Sequence, residues 1–505
     1  MAVFNQKGVY VNNVIKEFLD LKECNDIRIG EVRIDDLKLT KVIPIEKIKG
    51  PVFCPVCKER MYSKGFYVRK VNHPVLADGY KVILEVRQRK YRCTNKDCNT
   101  YMNEDFSFVE RYKHNSYITP YLALQDLKDI TVTVAYVARK RNVSETWVHD
   151  VVMTYLRFER LPLCEVLCID EVYLDICKDA RYCVILRDFM TGDIIDILPN
   201  RYKKTFDDYF YHIPRQERKK VKFIISDMYE PYLKMNENYF PEAVSVIDSF
   251  HVIQWINNKI NLFINEVKKQ YQKKDDERRK ELNYRENRDF IRRKDSKEVY
   301  LLKNHRWVLL QNDDNISYDP YRHLNRKLGS YVNTKDIYDQ FMALNPDFPV
   351  IKKLKEKYIR FNNEYMGKKQ EAEKGLDDLI KEYGSSSYPM FRDFALILEK
   401  RRNEILASFT RLDIKADQEK TQEFYRRMSN GPMEGFNRKP KDMKRLGRGY
   451  FNFDFIRNRI LWSAREDAHI LGSPIPVKEI KEKYRTGKKR GKYNKNNKKQ
   501  RDDRI

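Results

Sequence analysis

The stretch Leu163-Cys-Glu-Val-Leu-Cys-Ile169, running into Asp170-Glu171, decides the reading of the fold. It is a short apolar run, the length of a buried strand. A carboxylate where such a strand ends sits at the rim of a sheet, with its backbone still buried. The same pattern recurs downstream. Arg181 to Arg187 is rich in β-formers, and Asp193 to Leu198 follows a Thr191-Gly192 turn, so the three read as an antiparallel meander. Thr205 to Tyr211 reads as helix. Val221 to Ser226 is a further buried strand ending at Asp227, and Ala243 to Ile247 is a fifth ending at Asp248.

Three strands, a helix and a fourth strand are the order of a ribonuclease-H-like core, an α/β fold with a mixed sheet and helices. There two aspartates lie on neighbouring strands and a third acid arrives from a later helix. Glu434 can be that acid, on a helix beginning near Asn430 with Pro432 in its first turn. Asp170, Asp227 and Glu434 would then hold two Mg²⁺ or Mn²⁺ ions about 4 Å apart, hard cations suited to oxygen ligands.

Upstream, Cys54-Pro-Val-Cys57 and Cys93-Thr-Asn-Lys-Asp-Cys98 form a C-x2-C and a C-x4-C pair. Gly65 to Val71 and Tyr80 to Tyr91 alternate like strands between them. Two turns joined by a hairpin can surround one tetrahedral Zn²⁺ with four thiolates, the layout of a zinc ribbon. Nine cysteines in a long chain without a signal-like N-terminus point to metal or buried thiols, not disulfides. His73 reads as structural.

From Pro120 to Leu156 the pattern is helix, turn, helix. Val134, Val137 and Ala138 mark one face, and Asn142-Val143-Ser144 is the turn, with Ser144 a good N-cap. Val148, Val151, Val152 and Tyr155 recur at helical spacing. In a helix-turn-helix Ser144, Glu145, Thr146 and His149 would face bases, and Arg139, Lys140 and Arg141 would reach phosphates. From Phe250 to about Leu412 the chain is charged and mostly helical, with no sustained strand pattern. Asp227 and Glu434 are separated by 206 residues, so a helical insertion is expected. Its Trp255 and Trp307 read as core aromatics ahead of base-stacking ones.

The composition agrees with a polyanionic partner. The 505 residues carry 100 Lys and Arg against 74 Asp and Glu, a formal net charge of +26. Lys481 to Ile505 holds 12 Lys or Arg and 3 Asp or Glu, so +9 lies in a tail read as disordered and +17 in the rest. Aromatics at 13% exclude a wholly disordered chain. No run approaches the roughly 18 apolar residues of a spanning helix, so no membrane partner is expected and the location reads as cytoplasmic and nucleic-acid-associated.

The chain resembles the IS-L-three family of bacterial insertion-sequence transposases. The resemblance rests on Cys-Ile-Asp170-Glu171, Ile-Ser-Asp227-Met-Tyr-Glu-Pro-Tyr232, Asp248-Ser-Phe-His251-Val and Gly431-Pro-Met-Glu434-Gly-Phe-Asn437, with Lys441, Lys444, Arg445 and Gly449-Tyr450 beyond it. It implies a DDE triad at Asp170, Asp227 and Glu434, and an N-terminal zinc ribbon followed by a helix-turn-helix. It further implies binding to terminal inverted repeats, metal-dependent cleavage and strand transfer on double-stranded DNA, and a homodimer or higher assembly. Lys441, Lys444 and Arg445 would hold phosphates of the cleaved strand. Ser249 stands where a basic residue is usual, and Pro440 where an aliphatic is usual, so the catalytic helix is expected to bend there or be short.

The expected organisation is an N-terminal segment over 1–50, the ribbon over 51–110 and the helix-turn-helix over 115–160. The core spans 161–254 and 429–475 around an insertion over 255–428, with the basic tail over 476–505. Two rival functions fit the same sequence: a sequence-specific DNA-binding regulator with an inactive core, and a structure-specific nuclease of the same fold.

Overall fold

The computed structural model describes residues 16–21, 24–75, 78–176, 181–281, 295–414, 424–425 and 427–465. Cys177 and the basic tail lie outside these. The chain divides into two compact units: Met1–Arg160 with Tyr173–Arg181 and Arg438–Ile505, and Leu161–Val172 with Tyr182–Asn437.

The first unit contains a six-stranded sheet. Its strands are β1 (Ile27–Ile29), β2 (Arg33–Asp35), β3 (Thr40–Lys47), β4 (Met61–Asn72), β5 (Lys81–Cys93) and β6 (Tyr101–Asn103). β4 and β5 form a long antiparallel hairpin, and β3 pairs in parallel with β5 through Thr40↔Lys81 to Glu46↔Arg87. Residues 27–47 therefore belong to the hairpin's sheet and are not a separate N-terminal segment. The sequence hid this because β1 and β2 have three residues each and β3 carries Pro44. Ile43 and Ile45 bury against Val82, Leu84 and Val86, and that cluster fixes the register. His73 sits inside, with Nδ1 2.7 Å from Ser116 Oγ and Nε2 2.7 Å from the Leu19 carbonyl, a structural role.

Helices Ile118–Asp126, Val134–Arg141, Glu145–Tyr155 and Phe453–Ala464 also belong to this unit. Thr133 and Ser144 cap the second and third by accepting from the N–H groups of Tyr136 and Trp147. Asn142 closes the second helix in the left-handed region at φ 54°. Val134, Val137, Ala138, Val148, Val151 and Val152 are buried. Arg459 is fully buried and donates to the carbonyls of Leu127, Asp129 and Val132, clamping the inter-helix loop.

The second unit is built on a five-stranded sheet in the order β11-β10-β7-β8-β9. β7 is Val166–Tyr173, β8 Tyr182–Asp188, β9 Ile194–Leu198, β10 Phe223–Ser226 and β11 Val244–Ile247. β7, β10 and β11 run parallel, and β8 with β9 is antiparallel. Val166 to Ile169 are all buried, as a central strand covered on both faces requires. β11 leads into the 33-residue helix Ser249–Glu281, whose Val252, Ile256, Ile260, Ile264 and Val267 form one buried stripe. That stripe packs into a second hydrophobic body with Phe348, Tyr358, Phe391 and Phe394. Trp255 stacks on Phe394 at 5.8 Å and 13°, so it is a core aromatic. The helical region also holds a short hairpin, β12 (His323–Asn325) with β13 (Ser330–Val332), which the sequence pattern did not show. No helix among the described residues is long and apolar enough to cross a membrane.

Candidate active site and metal centre

Strand register aligns the acids. β10 pairs with β7 through Phe223↔Val166, Ile224↔Leu167 and Ile225↔Cys168. Two residues further along that register, Asp227 falls beside Asp170. β11 pairs with β10 through Ser226↔Ile247, so Asp248 falls beside Asp227. Three aspartates thus lie side by side across three parallel strands, roughly 4.8 Å apart strand to strand: Asp227 and Asp248 directly after β10 and β11, and Asp170 within β7, which runs on to Tyr173. In the order β11-β10-β7-β8-β9 the chain runs from β7 outward to β8 and β9 and then resumes at β10 on the other side of β7, which makes the gap between β7 and β10 the switch point, where the strand order reverses. Ligands of open α/β sheets bind at such a point.

Burial makes this row electrostatically demanding. Asp170 is 9% exposed, and its carboxyl is pushed up to about 7, first by burial and then by the negative charge of Asp227. Asp227 finds a counter-charge in His251, whose Nε2 lies 2.5 Å from its Oδ1. Burial alone would lower the His251 pKa, but the Asp227 carboxylate outweighs it and holds the ring above its ordinary value. Asp248 is 2% exposed and is raised by burial, while accepting from the N–H groups of Phe250 and Asn430.

The helix Gly431–Leu446 closes over the row from its first turns. Asn430 donates its side-chain amide to the Ile169 carbonyl. Asn437 donates to Asp170 Oδ2 at 2.6 Å. Asn437 is 6% exposed, and its own Oδ1 has no hydrogen-bond partner. Flipping the amide would set oxygen against the Asp170 carboxylate, so the orientation is fixed by charge. Glu434 is one turn before Asn437, on the same helix face, and is exposed. Pro440 lies inside this helix, which continues six residues beyond it, so the helix is not short.

Sequence reasoning named Asn430 and Asn437 without giving either a role; the spacing of three from Glu434 to Asn437 was the available signal. Glu171 is tied to Arg201 Nη1 at 3.0 and 2.9 Å and to the Tyr232 hydroxyl at 2.7 Å, which anchors the strand end. Asp188 accepts from the Met190 N–H at 2.7 Å and caps its own turn.

The cysteine quartet differs in kind. Cys54, Cys57, Cys93 and Cys98 place their sulfurs within 4.8 Å of one another. Among the described residues it is the one group of three or more Cys, His, Asp or Glu side chains gathered that closely. Cys54 and Cys98 are 3.7 Å apart, and Cys57 and Cys93 are 3.3 Å apart. A tetrahedral zinc with roughly 2.3 Å bonds needs sulfurs about 3.8 Å apart. Backbone N–H groups of Cys57 and Val56 point at the Cys54 sulfur and hold its pKa down to about 6. The Asn95 N–H reaches Cys93 Sγ at 3.4 Å. The quartet therefore fits a metal ion by its sulfur spacing; the thiolate is favoured at Cys54, while burial and neighbouring sulfurs raise Cys57 and Cys93.

The expected DNA contacts fare unevenly. Arg141 is half-buried and bidentate to Asp126, with a third bond to the Pro74 carbonyl, and Lys140 also bonds Asp126. Both side chains are engaged with Asp126 in the helix pair. The His149 ring packs 4.2 Å from Phe455 and 6.0 Å from Tyr450, against the protein's own aromatics. Ser144 spends its hydroxyl on the cap. Arg139 and Thr146 are exposed. Lys444 donates to the Asp175 carbonyl, Arg445 lies 3.1 Å from Asp442, and Lys441 is exposed. Arg457 donates to the Phe158 carbonyl, and the buried Arg459 to that of Val132.

A family profile described as a transposase, of the DDE IS-L-three type, matches residues 167–460. The chain belongs to this transposase family. The matched span of the transposase chain contains Asp170, Asp227, Asp248, Glu434 and Asn437, whereas the cysteine quartet precedes it. No curated protein matches the chain.

Proposed function

We propose that this transposase binds the terminal inverted repeats of a bacterial insertion sequence, cleaves the DNA there and joins the freed end to target DNA. Asp170, Asp227 and Glu434 form the catalytic triad. The observation that carries the reading is the register alignment of Asp170 with Asp227 at the switch point, with the Glu434 helix tied to it by Asn437. The strand order β9-β8-β7-β10-β11 with β7, β10 and β11 parallel supports a ribonuclease-H-like core.

The site suits two divalent cations of the Mg²⁺ type, since its donors are carboxylate oxygens and the unpartnered amide oxygen of Asn437. Such ions, when bound, activate the attacking oxygen and stabilise the leaving one. Asp170 and Asp227 would hold them from the sheet rim and Glu434 from the helix. Asn437 fixes the Asp170 carboxylate, while His251 neutralises Asp227 and keeps the buried row from mutual repulsion. In the first step a water oxygen bonds to phosphorus, the P–O3′ bond breaks, and the element's end leaves as a 3′-hydroxyl. In the second, that 3′-hydroxyl attacks a target phosphodiester, one P–O bond replacing another. The cysteine quartet would hold Zn²⁺ and order the hairpin. Bringing two element ends together requires two active sites, so the working form is a homodimer or larger on DNA.

Incubation with Mg²⁺ and labelled element-end duplex tests this. Wild type should cleave and join, and Asp170→Ala, Asp227→Ala and Glu434→Ala should do neither. Binding without cleavage would instead favour a regulator, and cleavage without joining a nuclease.

A further inference from the structure

We propose that the Tyr67–Tyr101 face of the β4–β5 hairpin, and not the helix pair, supplies the main grip on duplex DNA phosphates. The inference rests on DNA being the substrate, as argued above.

The helix pair is poorly equipped for that task. Arg141 and Lys140 are engaged with Asp126, His149 faces Phe455, and the helix Glu145–Tyr155 contains no Lys or Arg. The hairpin is the opposite case. β5 carries Lys90 and Arg92 two residues apart on one face, a spacing of about 6.7 Å along the strand. The register places Tyr62 opposite Arg92, Tyr67 opposite Gln88, and Tyr101 of β6 opposite Arg92, so these share that face. An irregularity between Ser63 and Phe66, with Gly65 at φ +120°, swings Lys64 over to join them.

The rings hold the cations in place. Lys64 Nζ and Arg92 Cζ each lie 5.3 Å from the Tyr101 ring centre, and Lys90 Nζ lies 5.2 Å from that of Tyr67. Among the described residues no carboxylate forms an ion pair with Lys64, Lys90 or Arg92; Arg92 donates only to the neutral Asn99 side chain. On the other hairpin face Arg87 lies over Phe66 but has Glu46 at 3.8 Å, and Arg89 is paired with the buried Glu104. The excess positive charge is thus confined to one side. That side borders a groove of about 850 Å³ lined by Tyr67, Gln88, Tyr101, Asn103, Arg111 and His114. A two-stranded ribbon fits the major groove of B-DNA, and cations of this kind position a protein on the duplex without reading sequence.

The test uses the full chain and fluorescence anisotropy with three probes: an inverted-repeat duplex, an unrelated duplex of equal length, and a single strand. The triple variant Lys64→Gln/Lys90→Gln/Arg92→Gln should weaken both duplexes at least tenfold and reduce the slope of log affinity against log salt by roughly 2–3. Arg139→Gln with Thr146→Ala should change affinity less than twofold. Zinc content and thermal unfolding of the triple variant report its folding. The double variant Lys64→Gln/Lys90→Gln, which spares the residue beside Cys93, should show about two thirds of the slope change. Wild type binding no probe would overturn the DNA reading itself. Wild type binding normally while the variants keep its affinity and salt slope would overturn this inference alone. Loss confined to the single strand would overturn the duplex as occupant.

Discussion

The cysteine quartet and the aspartate row are two ligand sets built on opposite electrostatic terms. Four sulfurs stand within 4.8 Å of one another, held by backbone N–H groups in two tight turns. Sulfur is polarizable and tolerates such contact, so the turns can preform the site. Asp170 and Asp227 also stand at matching positions, yet each is matched to a separate partner, Asn437 for one and His251 for the other. Buried like charges need compensation. The four sulfurs close on one another, whereas Glu434, on the helix that carries Asn437, is exposed.

Substitutions sharpen that contrast. Asp170→Asn and Asp227→Asn should each lower cleavage by roughly 10³-fold or more, about 4 kcal/mol of transition-state stabilisation, with zinc content unchanged. A gel assay with elemental analysis reads both, and a variant that still cleaves at wild-type rate breaks the comparison. Cys54→Ser should do the converse: zinc falls below one per chain and the hairpin unit loses several kcal/mol of stability, since structural metal binding is folding free energy. Calorimetry showing an unchanged transition would remove the quartet's structural role. Asn437→Ala should weaken divalent-ion binding 10- to 100-fold, the usual cost of losing a group that orients a ligand, measured by titration calorimetry with Mn²⁺. The smallest effect is expected from His251→Gln. In chelator the variant should unfold more easily by about 1 kcal/mol, through loss of a half-buried ion pair, and Mg²⁺ should erase the difference.

The strands carrying the aspartates were legible because each is an apolar run that ends in a carboxylate, and Val166 to Ile169 needed no partner to be recognised as buried. The quartet was legible from spacing alone, since a hairpin is the simplest way to join two close pairs. Their neighbours were not. β3 reaches β5 by a parallel pairing that crosses the hairpin partner β4 in sequence, and neither its Pro44 nor its mixed burial signals a strand. Asn437 bonds an aspartate 267 positions earlier, a contact no local pattern encodes. The intramolecular partners of Arg141 and His149 were hidden for a related reason. A cation at a helix end and a ring beside a base-reading position look available until Asp126 and Phe455 come into contact with them.

Iron-mediated cleavage of the polypeptide tests the central claim most directly. Fe²⁺ with ascorbate, added to zinc-loaded protein bound to element-end DNA, generates radicals that cut the backbone beside the bound ion. Three carboxylates converging on one metal site predict fragments ending near residues 170, 227 and 434, all suppressed by excess Mg²⁺. Cuts near 170 and 227 without 434, or none that Mg²⁺ suppresses, would contradict the triad.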